Sequence, residues 1–156
     1  MKLEYFKDTI GIYPGALDQS LCSEMIEEFH KKRDSNVYEG FTLGGKNHKM
    51  KRTNELNLKN TGVTLYDEWV EVIEEVAIRL NKRYLKKFGH LEKFNPLQVH
   101  GEGVYYPLWK IQEYKKNQGH YHAWHTEQNY SRNTCQRLMV SMFYLNDVYK
   151  LSLIHI

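Results

Sequence analysis

Gly119-His-Tyr-His-Ala-Trp-His-Thr-Glu127 places four side chains able to ligate a metal, His120, His122, His125 and Glu127, within one short run. Read as a strand, the run alternates faces, so residues two apart share a side. His125 and Glu127 then point one way and Thr126 the other. An imidazole and a carboxylate converging from same-face positions supply two ligands of a 2-His-1-carboxylate site. Such a site holds ferrous iron and leaves positions open for a co-substrate and oxygen. The third ligand must come from elsewhere. A zinc site built from His120, His122 and His125 is the competing reading of the same run.

The flanking segments read as strands. Before the run, Leu108–Tyr114 alternates, with Trp109, Ile111 and Glu113 on one face and Lys110, Gln112 and Tyr114 on the other. Lys115-Lys-Asn-Gln-Gly119 is a polar loop, and a second follows over residues 128–134. Arg137–Asn146 is an apolar run (Leu138, Met139, Val140, Met142, Phe143, Tyr144, Leu145), which predicts a strand buried on both faces. Trp124 faces away from His125 and reads as core.

The first two thirds of the chain read as scaffold. Residues 3–13 form short extended segments ending in the turn Tyr13-Pro14-Gly15. Asp18 is a candidate N-cap. Leu21, Cys22, Met25, Ile26 and Phe29 recur at helical spacing, and acid early with base late complements the helix dipole. Residues 34–60 show no long period; short strands are predicted at Tyr38–Leu43 and Thr53–Leu58. Leu65, Trp69, Val70, Ile73, Val76, Ala77, Leu80 and Tyr84 predict a long helix over residues 63–88, stopped by Gly89. Helices first and antiparallel strands after them predict an α+β fold with a helix layer on a sheet.

Composition narrows the functional classes. The chain has 156 residues, 41% hydrophobic and 26% charged, with a net charge of +3. This suits one soluble domain and not an extended basic surface. Lys46, Lys49, Lys51, Arg52, Lys82, Arg83, Lys86 and Lys87 read as solvated positions, and no nucleic-acid partner is expected, since no stacking-aromatic motif accompanies them. Twelve tyrosines suit a pocket lined by rings and phenolic hydroxyls. Cys22 and Cys135 are far apart and read as reduced thiols of a cytoplasmic protein. Neither a signal peptide nor a membrane span is legible.

Ile111-Gln-Glu-Tyr114, the loop Lys115–Gly119, Tyr121-His-Ala-Trp-His-Thr-Glu127 and Arg137-Leu-Met-Val-Ser-Met-Phe-Tyr-Leu-Asn-Asp-Val148 together resemble the prolyl-4-hydroxylase-like branch of the iron(II)/2-oxoglutarate dioxygenases, in the form found in phages and marine bacteria. Ile10–Phe29 resembles the opening of the same family. The resemblance implies a double-stranded β-helix, a jelly roll that is incomplete here, with supporting N-terminal helices over residues 1–150. It implies His125 and Glu127 as iron ligands, and Tyr114 and Tyr144 as residues lining the 2-oxoglutarate site. The implied cofactor is Fe(II), the co-substrates are 2-oxoglutarate and O2, and ascorbate is an auxiliary reductant. The implied reaction hydroxylates an unactivated C–H bond of a peptide, such as a prolyl side chain, or of a small molecule. His120 and His122 become supporting or substrate-side residues, because the spacing of His122 from the carboxylate does not match the family.

Two departures accompany the resemblance. Most of the branch uses Asp where this chain has Glu127, and the extra methylene moves the ligating oxygens outward. The family's distal His, and the Arg or Lys pairing with the 2-oxoglutarate carboxylate, fall later than Val148. In their place stands Leu151-Ser-Leu-Ile-His-Ile156, which is what a common tagmentation transposon end encodes. The expectation is therefore a metagenomic fragment whose residues 151–156 are adapter-encoded, with His155 not a ligand and the present chain inactive. Two alternatives stay open: a non-enzymatic jelly-roll binding protein, and the zinc hydrolase using His120, His122 and His125.

Overall fold

Periodic apolar side chains set both helices on one face of a sheet whose other face is polar. The computed structural model describes residues 4–42, 44–60, 63–89, 108–122, 124–125 and 139–147. Its elements run β1 (Tyr5–Lys7), β2 (Ile10–Ile12), α1 (Gln19–Lys31), β3 (Tyr38–Glu39), β4 (Lys51–Arg52), β5 (Asn54–Asn60), β6 (Val63–Thr64), α2 (Asp67–Lys87), β7 (Leu108–Glu113) and β8 (His120–Tyr121). The fold is mixed α+β with antiparallel pairing throughout the described strands.

α1 starts where expected. Asp18 has extended backbone and its carbonyl accepts from the Cys22 N–H, but its side chain makes no cap bond. Cys22, Met25 and Phe29 are buried. The acid-early pattern has a tertiary role instead: Glu24 accepts from the Trp69 indole at 3.0 Å, tying α1 to α2. α2 begins at Asp67, later than the periodicity predicts, because Val63–Thr64 is taken into an antiparallel pair with the end of β5. Its buried stripe is Trp69, Val70, Ile73, Val76, Ala77 and Leu85. The β1–β2 hairpin packs near the far end of α2, where Phe6 meets Tyr84 and Phe88.

β5, which the sequence suggests only as a short strand, is the centre of the sheet. β7 pairs along one edge of it, and β3 and β6 pair along its length. Leu56, Leu58, Trp109 and Ile111 join Met25, Phe29, Trp69, Val70, Ile73 and Ala77 in the core. The register slips between Asn57 and Lys59. A bulge of this kind re-aims side chains, and Lys59 is the beneficiary: it and the Trp109 indole both bond Glu74 on α2.

β7 is also clamped to the end of α1. Arg33 donates to both Glu113 oxygens, at 2.6 and 3.1 Å, and Asn54 donates to the same carboxylate at 2.7 Å. Burial pushes the Glu113 carboxyl up, but these bonds bring it below the usual range. Glu113→Gln is expected to cost about 1–3 kcal/mol at neutral pH, the scale for a charge-assisted bidentate pair. A depressed carboxylate stabilises the fold above its unfolded pKa and loses that contribution as pH falls. Urea titrations should therefore show the gap between wild type and variant closing in acid.

The segment 139–147 corrects one expectation. Among the described residues it joins no strand ladder. Its burial alternates: Phe143 and Leu145 pack against the core, while Val140, Met142 and Tyr144 are exposed. The apolar run is thus one-sided in the described structure, and the expected burial of both faces is not observed. Cys135, Arg137 and residues 148–156 lie outside the described residues. Among those described, no helix is long and apolar enough to cross a membrane.

Candidate functional site

The side of the sheet away from the helices is lined by polar residues taken from alternate strand positions. Cross-strand neighbours Glu55 and Gln112, Asn57 and Lys110, and Tyr38 and Glu55 share this face, as side-chain alternation requires. At its centre is Glu55, 2% exposed. Its carboxylate accepts from Lys51 Nζ at 2.6 Å, Gln112 Nε2 at 2.8 Å, Lys110 Nζ at 2.9 Å and Thr53 Oγ1 at 3.0 Å. Burial pushes this carboxyl up, but the bonds from Lys51, Lys110 and Gln112 outweigh it and hold the pKa at about 2. Lys51 is 4% exposed, so the reading of this lysine as solvated is overturned. Gly40 closes the other side, where an added Cβ would run into Thr53 and Glu55.

β7 and β8 are two parts of one line of chain. β7 pairs with β5 and β8 with β4, so both lie along residues 51–60, and residues 115–119 leave the ladder and return. The excursion pinches shut at its base: Gly119 N–H donates to the Lys115 carbonyl at 2.6 Å. A Cβ on Gly119 would sit 2.5 Å from Tyr114 Cα and from Lys115 N. Backbone cannot yield as a flexible side chain can, so Gly119→Ala is expected to cost about 1–3 kcal/mol and to disturb Tyr114. A lowered melting temperature, with Tyr114 amide shifts changed in NMR spectra, is the measurement.

Past the excursion, Tyr121 stands opposite Lys51, whose ammonium lies 5.2 Å from the ring centroid. Tyr121 in turn stacks on His125, centroids 4.4 Å apart and planes 18° from parallel. The strand ends at Tyr121, and His122, Trp124 and His125 have no strand conformation. Among the described residues the expected strand over 120–127 is seen only at His120–Tyr121, and Trp124, expected in the core, is fully exposed. The stack on Tyr121 now holds His125 in place of strand alternation. Glu127, the carboxylate expected beside it, lies outside the described residues.

The two tyrosines singled out by the sequence, Tyr114 and Tyr144, lie within electrostatic range of each other. Burial raises the pKa of Tyr114, and Glu55, Tyr121 and Tyr144 are near enough to raise it further. Tyr144 is half exposed, and the covering of the rest of the residue raises its pKa. Glu55, Lys51, Tyr121 and His125 thus form a connected group, with Tyr114 within electrostatic range of Glu55, Tyr121 and Tyr144.

His120 does not suit the zinc reading. Its Nδ1 faces the Gln118 carbonyl at 3.0 Å and its Nε2 the His48 carbonyl at 2.9 Å. With a carbonyl oxygen against each ring nitrogen, neither nitrogen faces open space for a metal. Among the described residues, which exclude Glu127, no three His, Cys, Asp or Glu side chains gather closely enough to hold a metal ion. A cleft lined by Asn36, Tyr38, Leu56, Asn57, Leu65 and Tyr66 shares Tyr38 and Asn57 with this face and has no histidine in its lining.

Sequence reasoning did not single out Glu55, and it read Lys51 as solvated. The signal was present in part, since Lys110 and Gln112 alternate with Trp109 and Ile111. Comparison with family models, with curated proteins and with solved structures returns no match for this chain.

Proposed function

We propose that this chain carries the metal and co-substrate face of an iron(II)- and 2-oxoglutarate-dependent oxygenase of jelly-roll fold, with His125 and Glu127 as iron ligands and Tyr114 and Tyr144 lining the co-substrate site. The observation that supports this best is the connected group on the polar sheet face: His125 on Tyr121, Tyr121 beside Lys51, and Tyr114 within electrostatic range of Tyr144, Tyr121 and Glu55. A dicarboxylate needs donors and cations in a partly enclosed place, and phenols and ammonium groups supply them. The donor chemistry of this face fits that co-substrate, and the imidazole of His125 fits iron.

Iron held by His125 and Glu127, with 2-oxoglutarate and O2, would supply oxidative decarboxylation to succinate and carbon dioxide, one oxygen atom of O2 going to succinate and the other into a substrate C–H bond. The residues of this chain bind and orient. His125 offers one ring nitrogen to the metal while Tyr121 fixes its plane. Tyr114 and Tyr144 present hydroxyls to carboxylate oxygens. A peptidyl side chain such as proline is the substrate class proposed, by analogy with the resembling branch.

The test is anaerobic titration with Fe(II) and 2-oxoglutarate, following the visible charge-transfer absorption of the complex, then succinate release under oxygen. Both signals are expected to vanish in His125→Ala and Glu127→Ala. Iron binding without succinate would leave a jelly-roll binding protein, and no iron binding would overturn the proposal. Zinc-dependent hydrolysis needing no 2-oxoglutarate would restore the zinc reading.

A further inference from the structure

The cleft beside the polar face is made by a gap in strand pairing. β7 pairs with β5 from Asn54 to Asn60 and takes one of its two edges. The other edge is shared: β3 pairs with Asn54 and Glu55, and β6 with Lys59 and Asn60. Between these pairs, among the described residues, Leu56, Asn57 and Leu58 have no strand partner on that edge. The space left there is about 270 Å³ and is lined by Asn36, Tyr38, Leu56, Asn57, Leu65 and Tyr66. Its walls are held from outside. The Asn36 and Val37 N–H groups donate to the Lys32 carbonyl at the end of α1, and the Leu65 N–H donates to the Leu58 carbonyl at 2.8 Å. The Tyr66 ring lies flat on Trp69, centroids 5.0 Å apart and planes 6° from parallel, and the Trp69 indole is itself bonded to Glu24. Leu56 is the most buried of the six.

The polar groups of this lining have bonding capacity to spare and carry no charge. Tyr38 donates its hydroxyl to Asn57 Oδ1 at 2.8 Å. That bond sets which way the Asn57 carboxamide points and leaves its Nδ2 donors unused. Among the described residues the Asn36 carboxamide and the Tyr66 hydroxyl have no hydrogen-bond partner either. Burial raises the pKa of both phenols, Tyr38 to about 12, so both are neutral. None of the six lining residues is charged, and an ion entering the cleft would lose hydration without gaining a counter-ion. A carboxamide fits instead, since its oxygen and NH2 match the NH2 and oxygen of an asparagine. A flat ring attached to it finds Leu56, Leu65 and the Tyr66 ring. The volume lies just under the range of about 300–1,000 Å³ usual for ligand clefts, which leaves room for one small ring and its substituent. We infer that this cleft is a binding site for a small, neutral, planar carboxamide, its amide held by Asn57 and Asn36 and its ring by Leu56, Leu65 and Tyr66. The site needs neither iron nor 2-oxoglutarate and stands apart from the oxygenase reading.

The test titrates the metal-free chain with benzamide and with two controls. Benzoate has nearly the same shape and a negative charge; cyclohexanecarboxamide keeps the amide and loses the flat ring. Binding is read from backbone and side-chain amide signals in NMR spectra. Benzamide is expected to shift the side-chain NH2 signals of Asn36 and Asn57 and the backbone N–H of Tyr66. Benzoate should bind at least about 10-fold more weakly, the scale of an unpaired charge brought to a neutral site, and cyclohexanecarboxamide should also bind more weakly than benzamide. Asn36 is exposed and its side chain has no partner among the described residues, so Asn36→Ala keeps the fold. It should weaken benzamide about 3- to 10-fold, the scale of one neutral hydrogen bond. Tyr38→Phe lets the Asn57 carboxamide turn and should weaken benzamide by a similar factor, with circular dichroism checking that the variant is folded. Equal affinity for benzamide and either control would overturn the inference. So would unaltered benzamide affinity in either variant, shifts confined to residues outside the cleft, or no shift with benzamide at all.

Discussion

His125→Ala is expected to abolish iron-dependent succinate release, by about 100-fold or more, while leaving the fold intact. Removing even an outer partner of a metal ligand typically costs 10- to 100-fold in metal affinity or activity, and His125 is assigned to the metal itself. The second half of the expectation comes from its position. His125 is exposed and lies past the end of β8, so its loss opens no core cavity. The contacts it gives up, the stack on Tyr121 among them, are those of an exposed residue, and melting should move by no more than a surface substitution does, about 0.5 kcal/mol. Trp124→Ala is the matched control, since this neighbour is fully exposed; its metal binding should be unchanged. Tyr121→Leu should behave differently from both. It leaves the imidazole in place but frees its plane, so iron binding should weaken without disappearing. Equal behaviour of His125→Ala and Trp124→Ala in iron titration would show that the metal is held elsewhere.

Much of this arrangement was legible in the residue order, and what was not has a physical reason. Local periodicity is set by neighbours, so the buried stripes of α1 and α2 and the two faces of β7 follow from spacing alone. Trp109 and Ile111 do face the core while Lys110 and Gln112 face the opposite side. Lys51 failed as a reading because its partner is a buried carboxylate. A lysine in a glycine- and asparagine-rich stretch looks solvated until β5 brings Glu55 against it. Lys110 meets the same carboxylate from 55 positions away, a distance that no window reports. Trp124 failed for the converse reason. Alternation was extrapolated from His120 through Glu127, but pairing with β4 runs out at Lys51 opposite Tyr121. Beyond that pair the His122 N–H still reaches the Met50 carbonyl at 3.3 Å, but among the described residues His122, Trp124 and His125 adopt no strand conformation. In residues 139–147 the alternation is real, but composition hides it, since both faces are apolar.

Glu55→Ala is expected to be the most damaging single change in the scaffold, costing on the order of 3–5 kcal/mol, because it breaks a buried ion pair from one side. Lys51 would be left 4% exposed with no carboxylate, Lys110 would lose its anchor, and Thr53 and Gln112 would lose their acceptor. For a chain of this length that corresponds to a fall of roughly 10–20 °C in melting temperature, enough to unfold a marginal domain. Glu55→Gln should be milder, since an amide still accepts from lysine but offers no charge. The paired replacement Glu55→Leu with Lys51→Met should recover much of the loss, as apolar residues of similar volume often replace a buried ion pair without penalty. Failure of that rescue would place the damage in geometry and not in charge. The pH dependence has a definite sign. The folded pKa of about 2 lies below the ordinary 4.5, so this stabilisation, on the order of 3 kcal/mol, is complete above pH 4.5 and lost as pH falls toward 2. Glu55→Gln has no such carboxyl to titrate, so its stability should fall less steeply across that window. Parallel acid-denaturation curves for wild type and Glu55→Gln would show that the lysines do not hold Glu55 ionised in the folded chain.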